Sequence, residues 1–221
     1  VINLKQQENN SMKDILPARI QNSKKHLFYL LNIVFAESKP ADRIISAFFR
    51  GNRQFGSNDR RFLSELFFGF FRWWGWISKI MPESSIITKN KLDESQIAKF
   101  ANTSTSDKIV FFIMLMENQK SDDEILFFIA KKNEIKGFAP EKIMKINNIA
   151  EKAHKIAELL NLRISQTDIS ESDLAPEWMW QEISKPIDSH ELIKWFQKRP
   201  PIWIRLNGAY EAEVLREFTN N

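Results

Sequence analysis

Apolar residues recur at helical spacing along most of the chain. Leu27, Leu30, Leu31 and Val34 fall three or four residues apart, which places them on one face of a helix. Pro17 leads into this segment, which runs from Ala18 to about Ala36. Pro40 suits the start of a second helix, where its missing N–H costs little. That helix runs to about Arg50 with Ile44, Ile45, Phe48 and Phe49 inward, and Gly51 suits its C-terminal cap. Ser57 or Asn58 is the expected cap of a third helix, and Asp59 puts negative charge in its first turn. From Arg60 to about Met81 the sequence is apolar over most of the helical circumference, the mark of a central helix in a bundle. Gly69 and Gly75 would each cost such a helix about 1 kcal/mol relative to alanine. Close helix–helix approach is the expected compensation, and Pro82 ends the run.

Residues 83–105 are weakly patterned and read as a loop with a short helix near Glu94 to Phe100. Asp107 to Glu117 reads as a buried helix. Ser121, with Glu124 three residues on, forms a capping box before the next helix. Pro140 opens a helix from Glu141 to about Leu160, with Ile143, Ile146, Ile149, Ala153, Ile156 and Leu160 in one stripe. Five or six helices thus precede residue 162, an all-α bundle by element count. Beyond Asn161 the pattern changes. A polar stretch leads to a short helix in PEWMWQEI, broken at Lys185–Pro186, and another follows from Ser189 to Lys198. Residues Ile202 to Asn207 alternate as a strand, and Ala209 to Phe218 is helical again. A lone strand cannot satisfy its own backbone, so it is expected to pair across an interface or with strands beyond the chain. The fold expected is mainly α: a helical bundle over residues 1–162, then a linker and a short, incomplete α/β segment over 163–221.

Charge sharpens this picture. The 221 residues carry 32 Lys plus Arg against 28 Asp plus Glu. Residues 1–80 hold 13 of the basic residues and only 6 acidic ones, so a basic N-terminal third faces an acidic remainder. Such asymmetry favours a polyanionic partner. The chain has no cysteine, which excludes disulfides, cysteine-ligated metals and a cysteine nucleophile within it. His26, His154 and His190 form no ligand-spaced pair, so no catalytic metal is expected. No apolar run approaches the roughly 18 residues of a membrane span. The polar start has no secretory apolar region. A soluble, cytoplasmic protein is expected. No glycine-rich phosphate loop, G-x-S-x-G elbow or H-E-x-x-H pair occurs, and the six glycines are isolated. Asp122, Asp123 and Glu124 suit a helix N-terminus.

The strongest local feature is basic and aromatic: Arg50, Arg53, Arg60, Arg61, Arg72 and Lys79 around the second and third helices. It reads either as a solvated bundle face, with Arg61 and Glu65 paired at i,i+4, or as a surface that contacts phosphates. Lys24 and Lys25 extend the patch if the first helix packs alongside. Trp73, Trp74 and Trp76 read as core. Trp178 and Trp180 lie two apart and cannot share a helix face. Arg205 shares a strand face with Trp203, where it is free to meet an RNA backbone or a neighbouring domain.

Three separated motifs resemble one family. NDRRFLSELFFGFFRW, with Asp59, Arg60, Phe62, Leu66, Gly69 and Arg72, is similar to the signature helix of the NusB-like domain that opens bacterial Sun-type RNA cytosine-C5 methyltransferases. LAPEWMW resembles the family's L-P-x-W turn, with Ala175 inserted between Leu174 and Pro176. KRPPIWIRLN, with Arg199, Pro200, Pro201, Arg205 and Asn207, resembles the segment that begins the small RNA-recognition-like α/β unit. The resemblance implies a NusB-like helical RNA-binding bundle, then that α/β unit, then a domain binding S-adenosylmethionine and carrying the cysteine that attacks cytosine. None of that reactive machinery is in this sequence, so the chain alone is expected to be inactive and to hold no cofactor. It is expected to be the RNA-binding, substrate-positioning portion of an rRNA methyltransferase. The alternative is a free-standing NusB-like module that binds RNA or protein in transcription or ribosome assembly. The candidate RNA contacts are Lys24, Lys25, Arg50, Arg53, Arg60, Arg61, Arg72 and Arg205, with structured RNA, rRNA above all, as partner. Self-association through the incomplete α/β segment is also expected.

Overall fold

The first helix, α1 (Ile2–Glu37), is followed by α2 (Ala41–Gly51) and α3 (Ser57–Ile80) in a computed structural model of the chain. The structure describes residues 2–118, 123–162, 164, 169–184, 187–198 and 216, with side chains from Leu16 onward. A 3-10 turn at Pro82–Ser84 leads into α4 (Ser85–Lys89), α5 (Glu94–Ala101), α6 (Ser104–Met116) and α7 (Asp123–Lys132). Then come α8 (Pro140–Met144), α9 (Ile149–Leu159), a second 3-10 turn at Glu171–Leu174, α10 (Glu177–Glu182) and α11 (Ser189–Gln197). The described residues are thus mainly helical and contain no strand. The expected strand from Ile202 to Asn207, with Arg205, lies outside the described residues, as do the Lys185–Pro186 break and the capping residue Ser121.

Two helices form the centre. In α6 every residue from Ile109 to Leu115 is completely buried, which its unbroken apolar sequence requires of a helix enclosed on all sides. α3 lies against it and buries Phe62, Leu63, Leu66, Phe67, Phe70, Trp73, Trp76 and Ile77. α1 packs on α3, α4 and α5, while α7 and α9 cover the other side of α6. One continuous core runs from Ile20 on α1 to Ile169 beyond α9. Trp74, half-buried, stacks on Phe70 with ring centroids 5.0 Å apart.

Both glycines of α3 sit at close approaches. A Cβ on Gly69 would come within 2.6 Å of Ile113 Cγ2 on α6. One on Gly75 would overlap the carbonyl oxygen of Asp173, inside the second 3-10 turn. The partner of Gly75 is therefore a turn rather than another helix. Packing against the bundle thus continues beyond residue 162: Trp76 Nε1 donates to Ser170 O at 2.7 Å, and Ile193 of α11 is fully buried.

Several boundaries differ from expectation. α1 does not begin at Pro17 but continues through it, although proline has no N–H for the preceding turn. α3 starts at Ser57 after an extended Gly56 with no side-chain cap. The single helix expected from Glu141 to Leu160 is two, because Asn148 turns out of helical geometry and its side chain accepts the N–H of Glu151 to start α9. α5 carries a full capping box between Asp93 and Gln96. Among the described residues no helix is long and apolar enough to cross a membrane.

Candidate nucleic-acid interface

The turn between α2 and α3 is built by its own polar and aromatic residues. Asn52 ends α2, donating both its backbone N–H and its side-chain Nδ2 to Phe48 O at 3.0 and 2.8 Å. Four rings then gather behind the turn. His26 of α1 lies 5.3 Å from Phe48 and 5.2 Å from Phe55, and Phe55 lies 5.4 Å from Phe48 and 6.1 Å from Phe49. Arg60 locks the arrangement. Its Nε donates to Phe55 O at 2.8 Å, and its guanidinium lies over the Phe49 ring at 5.5 Å.

Four sequence-predicted cations stand on this corner. Arg50 is in the last turn of α2, Arg53 lies in the turn, Arg61 follows the first turn of α3, and Lys25 is on α1 beside His26. All four are exposed, and none has an ion-pair partner among the described residues. Among the described residues no ion pair joins Arg61 to Glu65, as the solvated-face reading would have it. Burial, aided by the Lys25 ammonium, holds the His26 imidazole below its ordinary value and so neutral at pH 7.

The other candidates serve elsewhere. Lys24 is only 1 % exposed, and its Nζ donates to Asp107 Oδ1 at 2.5 Å and to Ser106 Oγ at 3.3 Å. Burial lowers its pKa against the opposing pull of Asp107. Lys24 therefore does not face solvent as a phosphate contact would: helix periodicity turns it inward while Lys25 turns out. Arg72 is also turned inward, donating from Nε and Nη2 to the two carboxylate oxygens of Glu117 at 2.8 and 2.6 Å. Arg60 is committed to the Phe55 carbonyl, and Lys79 pairs with Asp173 at 2.8 Å. Arg205 lies outside the described residues.

Lys24 and Arg72 belong to two networks whose acids, Asp107 and Glu117, sequence reading did not identify. Asp107, buried at the start of α6, also accepts Lys132 Nζ at 2.7 Å on its second oxygen. At the opposite end of α6, Glu117 accepts Trp73 Nε1 at 2.8 Å besides Arg72. Nearby, Lys152 is 2 % exposed and donates from Nζ to Asn118 Oδ1 at 2.5 Å. Burial lowers Lys152 to about 8, against the attraction of Glu117. Asn118 holds the left-handed turn that ends α6, with φ 54°, a conformation asparagine tolerates. The signal was present: Asp107 and Glu117 stand at the ends of a segment that is apolar from Ile109 to Met116, so acids buried with it need cations.

A groove of about 660 Å³ opens beside the aromatic cluster, between α1 and the α2–α3 turn. Arg19, Asn22, His26, Gln54, Phe55 and Asp59 line it, and Arg19 Nε donates to Asp59 Oδ1 at 2.9 Å. No group of three or more His, Asp or Glu residues among those described could hold a metal ion. No family model, curated protein or solved structure matches the chain.

Proposed function

We propose that this chain is an RNA-binding module whose α2–α3 corner positions structured RNA, rRNA above all, through phosphate contacts. The observation that carries the reading is that Lys25, Arg50, Arg53 and Arg61, on the elements that meet around the α2–α3 turn, are exposed and have no ion pair among the described residues. Exposed cations are suited to phosphate neutralisation, which releases condensed counterions and fixes register without reading bases. Arg60 serves that surface indirectly by bracing the Phe55 turn.

The three motifs that resemble Sun-type RNA cytosine-C5 methyltransferases extend the proposal. In that reading the module presents RNA to an S-adenosylmethionine-dependent domain in the cytoplasm. The base-attacking thiol must come from outside these residues, since they contain no cysteine. The described residues also do not fit the cofactor. Gly69 and Gly75 are packed within α3, and Gly51, Gly56 and Gly137 stand apart, so no glycine-rich cradle forms. No methyl-transfer step is assigned to this chain.

Titration with a structured RNA at increasing salt tests the module. Affinity should fall as salt rises, and less steeply after Arg53→Gln or Arg61→Gln. Salt-independent binding, or binding unchanged in both variants, contradicts the proposal. A second reading, docking to a protein, draws on large exposed apolar groups after residue 176: Trp178 is 66 % and Trp195 63 % exposed. Capture of a partner that survives nuclease treatment and is lost in Trp195→Ala would favour it.

A further inference from the structure

We propose that the groove between α1 and the α2–α3 turn receives one unpaired base of the bound RNA, with the adjoining phosphates on the basic corner. This rests on the RNA-binding reading and adds a base-binding site to it.

The groove holds about 660 Å³, which is ample for a single heterocycle with part of its sugar. Phe55 gives it a half-buried aromatic wall, and that ring is packed against His26, Phe48 and Phe49. The hydrogen bond from Arg60 to the Phe55 carbonyl anchors its backbone as well. A ring fixed before binding loses little entropy when a base stacks on it. Hydrogen-bonding groups surround that wall. Asn22 and Gln54 are exposed at the rim, and the Arg19–Asp59 pair offers donors and acceptors at the edge of the groove. His26, neutral at pH 7, can donate or accept according to its tautomer.

Charge selects the occupant. Arg53 immediately precedes the lining residue Gln54, and Lys25 immediately precedes His26, so cations with no ion pair among the described residues flank the groove in sequence on both walls. An apolar ligand or an acidic peptide would use only part of this surface. A nucleotide uses all of it: a π-face for Phe55, polar base edges for the rim and phosphate for the cations. An RNA duplex cannot, since its bases are stacked inward, whereas loops and bulges can splay a base out.

The test uses the full chain and a hairpin RNA carrying a single bulged 2-aminopurine, compared with the same hairpin bearing an abasic bulge and with a fully paired stem. The 2-aminopurine fluorescence should fall on saturation as the base stacks. The abasic and paired hairpins should bind roughly five- to a hundredfold more weakly, the range expected of one stacked base. Phe55→Leu should erase that difference while keeping the salt dependence. Asn22→Trp, which fills the groove from an exposed position, should do the same and decides the matter if Phe55→Leu does not fold. Equal affinity for all three hairpins, with salt dependence intact, overturns the base site and leaves the phosphate-binding reading standing. Absence of salt-dependent binding to any hairpin overturns both. If Asn22→Trp alters sedimentation rather than RNA affinity, the groove belongs to a second copy of the chain and the base site is again overturned.

Discussion

Lys24 and Lys25 are neighbours on α1, yet they meet opposite environments. Lys24 lies in the core against Asp107, while Lys25 reaches solvent beside His26. The same division runs along α3. Near its start it displays Arg61 at the exposed corner, and about three turns further on Arg72 is bound through two of its nitrogens to Glu117. A basic segment is therefore two populations. The interior cations neutralise acids at the two ends of α6, and the corner cations form no ion pair among the described residues. Removing one partner of a buried pair leaves an uncompensated charge, whereas removing an exposed, unpaired cation leaves nothing behind.

This contrast predicts a steep gradient of effects. Asp107→Ala strands Lys24 in the core and should cost about 3–5 kcal/mol of stability. Urea denaturation would register it, and a loss below about 1 kcal/mol would dissolve the distinction. Next is Gly75→Ala, whose Cβ would overlap the backbone oxygen of Asp173. The second 3-10 turn would have to move off α3, at a cost of about 1–3 kcal/mol. Thermal melting checks this, and hydrogen exchange at Ser170 to Leu174 should quicken in the variant.

How much of this was legible in sequence depends on what each residue answers to. The apolar character of α3 and α6 marked both as central, because a helix without a polar face has nowhere else to lie. Gly69 and Gly75 signalled close approach, but a single helix's pattern cannot say that the partner of Gly75 is the turn at Asp173. The stripe from Ile143 to Leu160 kept its helical period across a break, since α8 and α9 both face the core. Only the cap at Asn148 distinguishes two helices from one. Among the basic residues, sequence identified the corner and could not sort its members. Lys24 and Arg72 are oriented by acids 83 and 45 residues away, a separation that local pattern does not encode.

A subtler effect is pH dependence. Lys152 has its pKa lowered from 10.5 to about 8 by burial. The unfolded chain therefore holds more protons than the native one between about pH 8 and 10.5, and stability attributable to Lys152 should rise with pH across that window. The penalty for burying the ammonium is fully present below pH 8. Lys152→Met should flatten this rise in urea midpoints, and an unchanged slope would show that the amine is not desolvated. The smallest effect belongs to the corner. Arg53→Gln and Arg61→Gln should each alter stability by no more than about 0.5 kcal/mol. A larger loss would place these arginines among the structural cations.

The most direct test of the corner's role is the salt dependence of RNA binding in variants of its cations, set against a variant of an exposed cation already paired with an acid. The slope of log affinity against log salt should become shallower by about one unit for each phosphate that is no longer neutralised. Arg53→Gln combined with Arg61→Gln should flatten the slope by about two units while the fold stays intact. Lys79→Gln, which removes an exposed cation already paired with Asp173, should leave it unchanged. Equal flattening by both substitutions, or by neither, would contradict the assignment of RNA binding to the α2–α3 corner.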